Sequence, residues 1–378
     1  MARRVFMHVG VAKTGTTYLQ RILHANRELL RAHGLLYPGK RSGDQFVASV
    51  DLRGLDTEKY AHLNTDGMWD RIAKEVNAYD GEAIISHETF ARCSSADVRR
   101  VQESFGGAQI GVVLTVRDLG RQVPAVWQET VKNRATGSYG EFLNDVFMDA
   151  DSGSHKFFWR AQDVSKVVRR WGRAVGMSNV TVVTVPPPGA ARDELWNRFG
   201  RAIELPEVSI ALPTAAGNVS LGPAEAELLR QVNSVLPEDF AWRRYSRAVK
   251  RQFAEHKLAR REMTRILIPP RWHEPVNERA AAMVRYLEGS GCHIIGDLAE
   301  LAPQLPTAEV AGPDDLTTDQ LLRVAAEVIR DEVILRPPRK RPAASLAEGK
   351  GLNPRARELV LRARALAARV RERVRRGA

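Results

Sequence analysis

Cysteine is nearly absent: Cys93 and Cys292 are the only two in 378 residues. Thiols so few and so far apart cannot frame a disulfide-stapled fold, and both are expected to be reduced, in an intracellular setting. Long apolar runs are missing as well, none approaching the roughly 20 residues that a membrane-spanning helix needs. The opening Met-Ala-Arg-Arg leads straight into a strand-like run. Neither a signal peptide nor a membrane anchor is therefore expected, and the cytoplasm is the expected compartment. Histidines are scattered: His8, His24 and His33 fall on different faces and no Cys/His spacing suits a metal, so no metal site is expected. The body of the chain carries no internal repeat and no low-complexity segment.

Net charge is +12, from 57 Lys and Arg against 45 Asp and Glu. Fourteen of those bases and three of the acids lie from Arg336 onward, so the first 335 positions are close to neutral. Residues 337–354, with Pro337, Pro338, Pro342 and Pro354, have the composition of a linker. In 355–378, Leu359, Ala363, Leu366, Val370 and Val374 form a narrow apolar stripe among nine arginines. Such a basic amphipathic helix suits an anionic membrane surface, and a solvated tail is the plainer alternative. No nucleic-acid partner is expected, because no aromatic residue interleaves with the arginines for base stacking.

The body alternates strand-like and helix-like segments, which implies a doubly wound α/β domain with a mostly parallel sheet. Strands are expected at Arg4–Val9, Ala83–Ser86, Ile110–Val116 and Val180–Val185. Helices are expected at Ala96–Glu103, Arg121–Arg134, Phe157–Trp171, Asp193–Arg201, Pro223–Val235 and Asn277–Leu287. Thr317-Thr318-Asp319-Gln320 reads as a capping box for one more, within a helical extension at 301–336.

Between the first strand and a helical run lies Gly10-Val-Ala-Lys-Thr-Gly-Thr-Thr17. Gly10 and Gly15 allow the backbone to turn its amides inward, and Thr16 and Thr17 sit at a helix N-terminus that favours an anion. A nucleotide-triphosphate loop has its lysine directly after the last glycine. Here Thr16 occupies that slot and Lys13 stands in mid-loop, beside a single terminal phosphate rather than a β/γ pair.

Lys13-Thr14-Gly15-Thr16-Thr17 resembles the 5′-phosphosulfate loop of the PAPS-dependent sulfotransferases, in particular their bacterial-type branch. The resemblance spans about residues 1–300 in its order of elements and implies a P-loop-like sheet flanked by helices. It implies PAPS as co-substrate, bound by Lys13, Thr14, Gly15, Thr16 and Thr17. Arg117, at the end of Val112–Val116, matches the arginine that holds the 3′-phosphate, and a guanidinium fork suits that task. The family's serine eight residues on is Ala125 here, and Arg121 and Gln128 on the same helix are the candidate replacements.

Ile84-Ile85-Ser86-His87-Glu88 ends a strand in two groups able to remove a hydroxyl proton. The family uses a His or a Glu there. His87 matches the cytosolic register, with Glu88 as the competing base or the group that orients the acceptor. Side-chain alternation along a strand implies that only one of them reaches the substrate. Lys13 would stabilise the departing 5′-phosphate. Phe157-Phe158-Trp159 resembles the family's aromatic segment near adenine and acceptor, and core packing is the commoner reason for such a run. Asn218-Val-Ser220 resembles a polar turn of bacterial relatives, and no Lys-Gly-x-x-Gly segment follows it. The implied activity is sulfuryl transfer to a hydroxyl of a carbohydrate, glycolipid or related metabolite. The alternatives are a catalytically silent binding protein of the same fold and an atypical P-loop kinase.

Overall fold

The computed structural model describes residues 2–55, 60–212, 220–261, 263–308 and 310–335. The linker at 337–354, the basic helix at 355–378 and Asn218 of the polar turn lie outside the described residues. Six strands form one sheet: β1 (Arg4–Gly10), β2 (Leu35–Leu36), β3 (Glu82–Ser86), β4 (Gln109–Val116), β5 (Val180–Thr184) and β6 (His293–Ile295). Their spatial order is β2-β3-β1-β4-β5-β6, and every pairing is parallel. From β1 the chain goes to the edge strand β2, returns to β3 between β2 and β1, and then crosses to β4, β5 and β6 on the other side. The order therefore reverses between β1 and β4, where the carboxyl ends of an open sheet leave a crevice.

The central strands are β-branched and apolar on both faces because helices cover both. On one face Phe6, Ile84, Val113 and Val183 pack with Leu19, Ile22 and Leu23 of the helix Thr16–Ala25 and with Trp196 and Phe199 of the helix Glu194–Ala202. β2 and β6, of two and three residues, are too short to leave a periodic signal in the sequence. The helix expected over Phe157–Trp171 is two, Gly153–Gln162 and Val164–Val175. Asp163 divides them, since its extended backbone frees its carboxylate to accept from the Lys166 amide and cap the second helix.

Gln320 and Thr317 exchange the two bonds of the expected capping box, at the start of the helix Thr318–Leu335. The chain divides into a compact unit Met1–Ala325 and a second unit from Ala326. No helix among the described residues is long and apolar enough to cross a membrane. Both cysteines are free thiols.

Candidate functional site

Three of the strand ends singled out in the sequence converge on the loop after β1. Gly10 and Gly15 have φ of 88° and 86°, in the left-handed region that a side chain makes costly. At Gly10 space is decisive too, because a Cβ there would come within 2.7 Å of Glu88 Cα. The loop thus lies directly against the turn that begins at Glu88. On its other flank, Arg117 donates from Nη1 to the Lys13 carbonyl at 3.2 Å. Lys13 itself has φ of 71°, rare for a residue with a side chain, and Arg117 holds its carbonyl.

A buried polar chain holds the loop in place. Thr14 Oγ1 donates to the Val11 carbonyl at 2.5 Å, so its contact with Thr115 Oγ1 at 2.6 Å must be accepted. Thr115 therefore spends its proton on Thr14 and takes one from His8 Nε2 at 3.2 Å. His8 Nδ1 is left bare and accepts from Ser86 Oγ at 2.7 Å. One direction of donation satisfies all four side chains, and it joins the ends of β3, β1 and β4 to the loop. Burial drives the His8 pKa down to about 3, outweighing the opposing pull of Glu88. Sequence inspection missed His8 as a positioning residue, since a lone strand histidine carries no motif. Thr14 is fully buried, so its hydroxyl serves the loop's own architecture and only its amide is left for an anion.

Thr16 is equally buried, and its hydroxyl bonds the Glu88 carboxylate, as does Gln20 Nε2 at 3.4 Å. Burial pushes the Glu88 carboxyl up, but His87 and these donors prevail and hold it below its ordinary value. His87 and Glu88 are not on opposite faces: Nε2 and Oε2 lie 3.9 Å apart. Strand alternation fails here because β3 ends at Ser86 and Glu88 opens a 3₁₀ turn, Glu88–Arg92.

The tautomer of His87 turns on Thr89. Ser49 Oγ donates to the Phe46 carbonyl at 2.7 Å, and Thr89 Oγ1 donates to Ser49 Oγ at 2.5 Å. Thr89 Oγ1 then has no proton left for His87 Nδ1, 2.8 Å away, so that contact is a hydrogen bond only where Nδ1 carries the hydrogen. The Thr89 amide donates to the same nitrogen at 3.2 Å, which requires it bare, so the two contacts of Thr89 select opposite tautomers. In the Nδ1–H tautomer Nε2 is bare beside Glu88. Burial, aided by the charge of Arg53, lowers the His87 pKa despite Glu88, so the ring is neutral near pH 7.

The Lys13 ammonium is paired with Glu129 Oε2 at 2.5 Å, and Lys250 Nζ lies 2.7 Å from the other oxygen. Burial raises the Glu129 carboxyl, but the two lysines pull it far below the ordinary carboxylate range. Neither Glu129 nor Lys250 belongs to a motif, and nothing in their local sequence marks them.

Arg117, Arg121, Ala125 and Gln128 share a cleft of about 800 Å³ with Ser220 and Arg265. Asp118 is paired with Arg121, which also reaches the Pro186 carbonyl at 3.1 Å, so Arg117 forms no ion pair with its neighbour. The Arg117 Nε is buried with no partner among the described residues, and burial lowers this guanidinium to about 10, with Arg121 and Arg265 adding to the effect. A guanidinium with one nitrogen unpartnered and other cations around it is suited to an anion. Gln128 Oε1 accepts from the Leu221 amide at 2.9 Å, which fixes Ser220 in the cleft that Ala125 lines. Of the aromatic segment, Phe158 and Trp159 are core residues, and only Phe157 is exposed.

No protein-family profile matches the chain, and no curated protein matches it. Among solved structures it is similar to a sulfotransferase from Alicyclobacillus acidocaldarius, at 16% identity and a TM-score of 0.38, over 57% of this chain and 87% of that one.

Proposed function

We propose that the protein is a PAPS-dependent sulfotransferase acting on a hydroxyl acceptor, with carbohydrates, glycolipids and related metabolites as the acceptor class. One observation carries the proposal: a loop with its lysine in mid-turn touches Arg117 on one flank and the His87-Glu88 turn on the other. A two-phosphate nucleotide fits that arrangement. The amides of residues 13–17 and the Lys13 ammonium would hold the 5′-phosphate, and Arg117 would hold the 3′-phosphate with Arg265 and Ser220 in the place of the family's serine.

PAPS supplies the sulfuryl group, and its 5′-phosphate leaves with the S–O bonding pair as the acceptor oxygen attacks sulfur. In the Nδ1–H tautomer, His87 Nε2 takes the hydroxyl proton while Nδ1–H donates to Thr89 Oγ1. Glu88, kept ionised, then stabilises the imidazolium at 3.9 Å without itself taking the proton. Lys13 leaves Glu129 to meet charge on the departing phosphate, and Lys250 remains to hold Glu129 in place.

Calorimetry with adenosine 3′,5′-bisphosphate tests the reading: saturable binding is expected, and no detectable binding at millimolar concentration would sink it. The engagement of Lys13 by Glu129 favours, as a second reading, a catalytically silent binding protein. Bisphosphate binding without sulfation of any hydroxyl acceptor in an acceptor screen would select it.

A further inference from the structure

The turn that starts at the proposed base ends in a run of cations. Arg92 closes Glu88–Arg92 with its guanidinium 3.7 Å above the exposed ring of Phe157. Two more arginines grip the carbonyls of that turn: Arg160 donates from Nε to Arg92 O at 3.3 Å, and Arg170 from Nη1 to Ala91 O at 2.9 Å. Arg170 in turn lines a groove of about 540 Å³ between the helices Ser95–Ser104 and Val164–Val175, together with Arg99, Lys166, Arg169 and Arg173. No acidic residue lines that groove among the described residues. Two carboxylates at the starts of these helices are spent locally: Asp97 closes a capping box with Ser94, and Asp163 caps its own helix and meets Lys166 at 3.4 Å.

We infer that the acceptor is a polyanionic glycan, a chain bearing carboxylate or sulfate groups, which lies along a cationic track from His87 to the groove lined by Arg99, Lys166, Arg169 and Arg173. This rests on the sulfotransferase reading for the reaction and on the track itself for the substrate class. Like charges gathered in one groove are costly unless a counter-charge joins them, and Arg92 and Arg170, where the track meets the turn, bear the sign of that cost. Burial and then Arg53 and Arg160 lower the Arg92 guanidinium to about 10, and burial with Arg160 lowers Arg170. A groove between two helices receives a chain rather than a plane, which favours a polymer over a membrane. Phe157 is half exposed with Arg92 over one face, and no aromatic residue lines the groove among the described residues, so successive bases find no stacking series, which favours a glycan over a nucleic acid.

The test uses the full chain and a fluorescent oligogalacturonate, with affinity read by anisotropy. In Arg99→Gln/Arg169→Gln/Arg173→Gln, affinity is expected to fall at least tenfold. Arg371→Gln/Arg373→Gln/Arg375→Gln, which removes equal charge from the C-terminal segment, is expected to stay within twofold of the parent. Arg160→Gln, a single change at an exposed position, is expected to weaken binding severalfold. Bisphosphate affinity, unchanged in every variant, reports that each is folded. Equal losses in the groove and C-terminal variants would overturn the inference, as would equal affinity for a neutral dextran. Displacement by single-stranded DNA at equal charge and equal potency would overturn the glycan assignment. Loss of bisphosphate binding in the parent, with glycan binding intact, would instead overturn the nucleotide reading alone.

Discussion

Lys13 Nζ lies 2.5 Å from Glu129 Oε2, so the cation of the loop is stored on the helix Leu119–Lys132. Binding a phosphate requires that pair to open. Glu129→Gln is expected to tighten bisphosphate binding about two- to fivefold, the worth of a partly exposed ion pair. Lys13→Ala is expected to weaken it about tenfold or more, since hydrogen bonds to charged groups are worth about 1.5–3 kcal/mol. Calorimetry on both variants checks the pair. A weaker Glu129→Gln complex would mean that Glu129 positions Lys13 rather than competing for it.

The proton relay behind His87 gives a spectroscopic expectation. Nitrogen-detected NMR of labelled protein near pH 7 should show His87 as the neutral Nδ1–H tautomer. In Thr89→Val the acceptor is lost and the Thr89 amide can claim Nδ1, so the proton should move to Nε2. Sulfation should fall about 10²-fold or more with His87→Asn, the usual worth of a general base, and by less with Thr89→Val. An Nε2–H tautomer in the parent protein would remove His87 as the base and leave Glu88.

Acid stability follows from His8, which is buried, and Glu129, which is partly exposed. His8 is held neutral, with its folded pKa depressed from 6.5 to about 3. Below pH 6.5 the unfolded chain takes a proton that the folded chain refuses, so stability falls as pH drops from 6.5 toward 3. The loss approaches the order of 4 kcal/mol at the end of that window. Glu129 has a depressed carboxyl, so its contribution is present above an unfolded pKa of 4.5 and is lost as pH falls below it. Urea titrations from pH 7 to 4 should show this decline, and His8→Gln should flatten the upper part. An unchanged slope in that variant would contradict the account of His8.

Gly10→Ala combines a left-handed φ with a clash against Glu88 backbone. The expected cost is about 2–4 kcal/mol, from strain and forced displacement together. The displaced Glu88 turn should raise KM for any acceptor even in protein that remains folded. Chemical denaturation and steady-state kinetics would measure the two effects separately.

For the basic C-terminal segment, deletion after Pro337 should abolish binding to vesicles rich in anionic lipid and leave bisphosphate affinity intact. Equal vesicle binding by the shortened chain would remove the membrane proposal.

Much of the architecture was legible because it is repetitive. The four long strands announce themselves as short β-branched apolar runs, and their ends carry Lys13, His87 and Arg117. Punctuation misled where a residue's chemistry competed with periodicity: Asp163 interrupts an apolar stripe that otherwise runs unbroken from Phe158 to Trp171. The opposition expected for His87 and Glu88 presumed a strand continuing beyond Ser86, whereas the backbone turns there.

By itself the sequence determined the strand-loop-helix motif with its mid-loop lysine, the near neutrality of the body and the location of the excess arginine, since these depend on neighbours in the chain. Only the tertiary structure decided which polar side chains meet and what Lys13 faces. Glu129 and Lys250, Thr89 and Ser49, and His8 and Thr115 are pairs separated by 40 residues or more. Hydrogen bonds act over about 3 Å of space, and no local pattern records a meeting that only the folded sheet brings about.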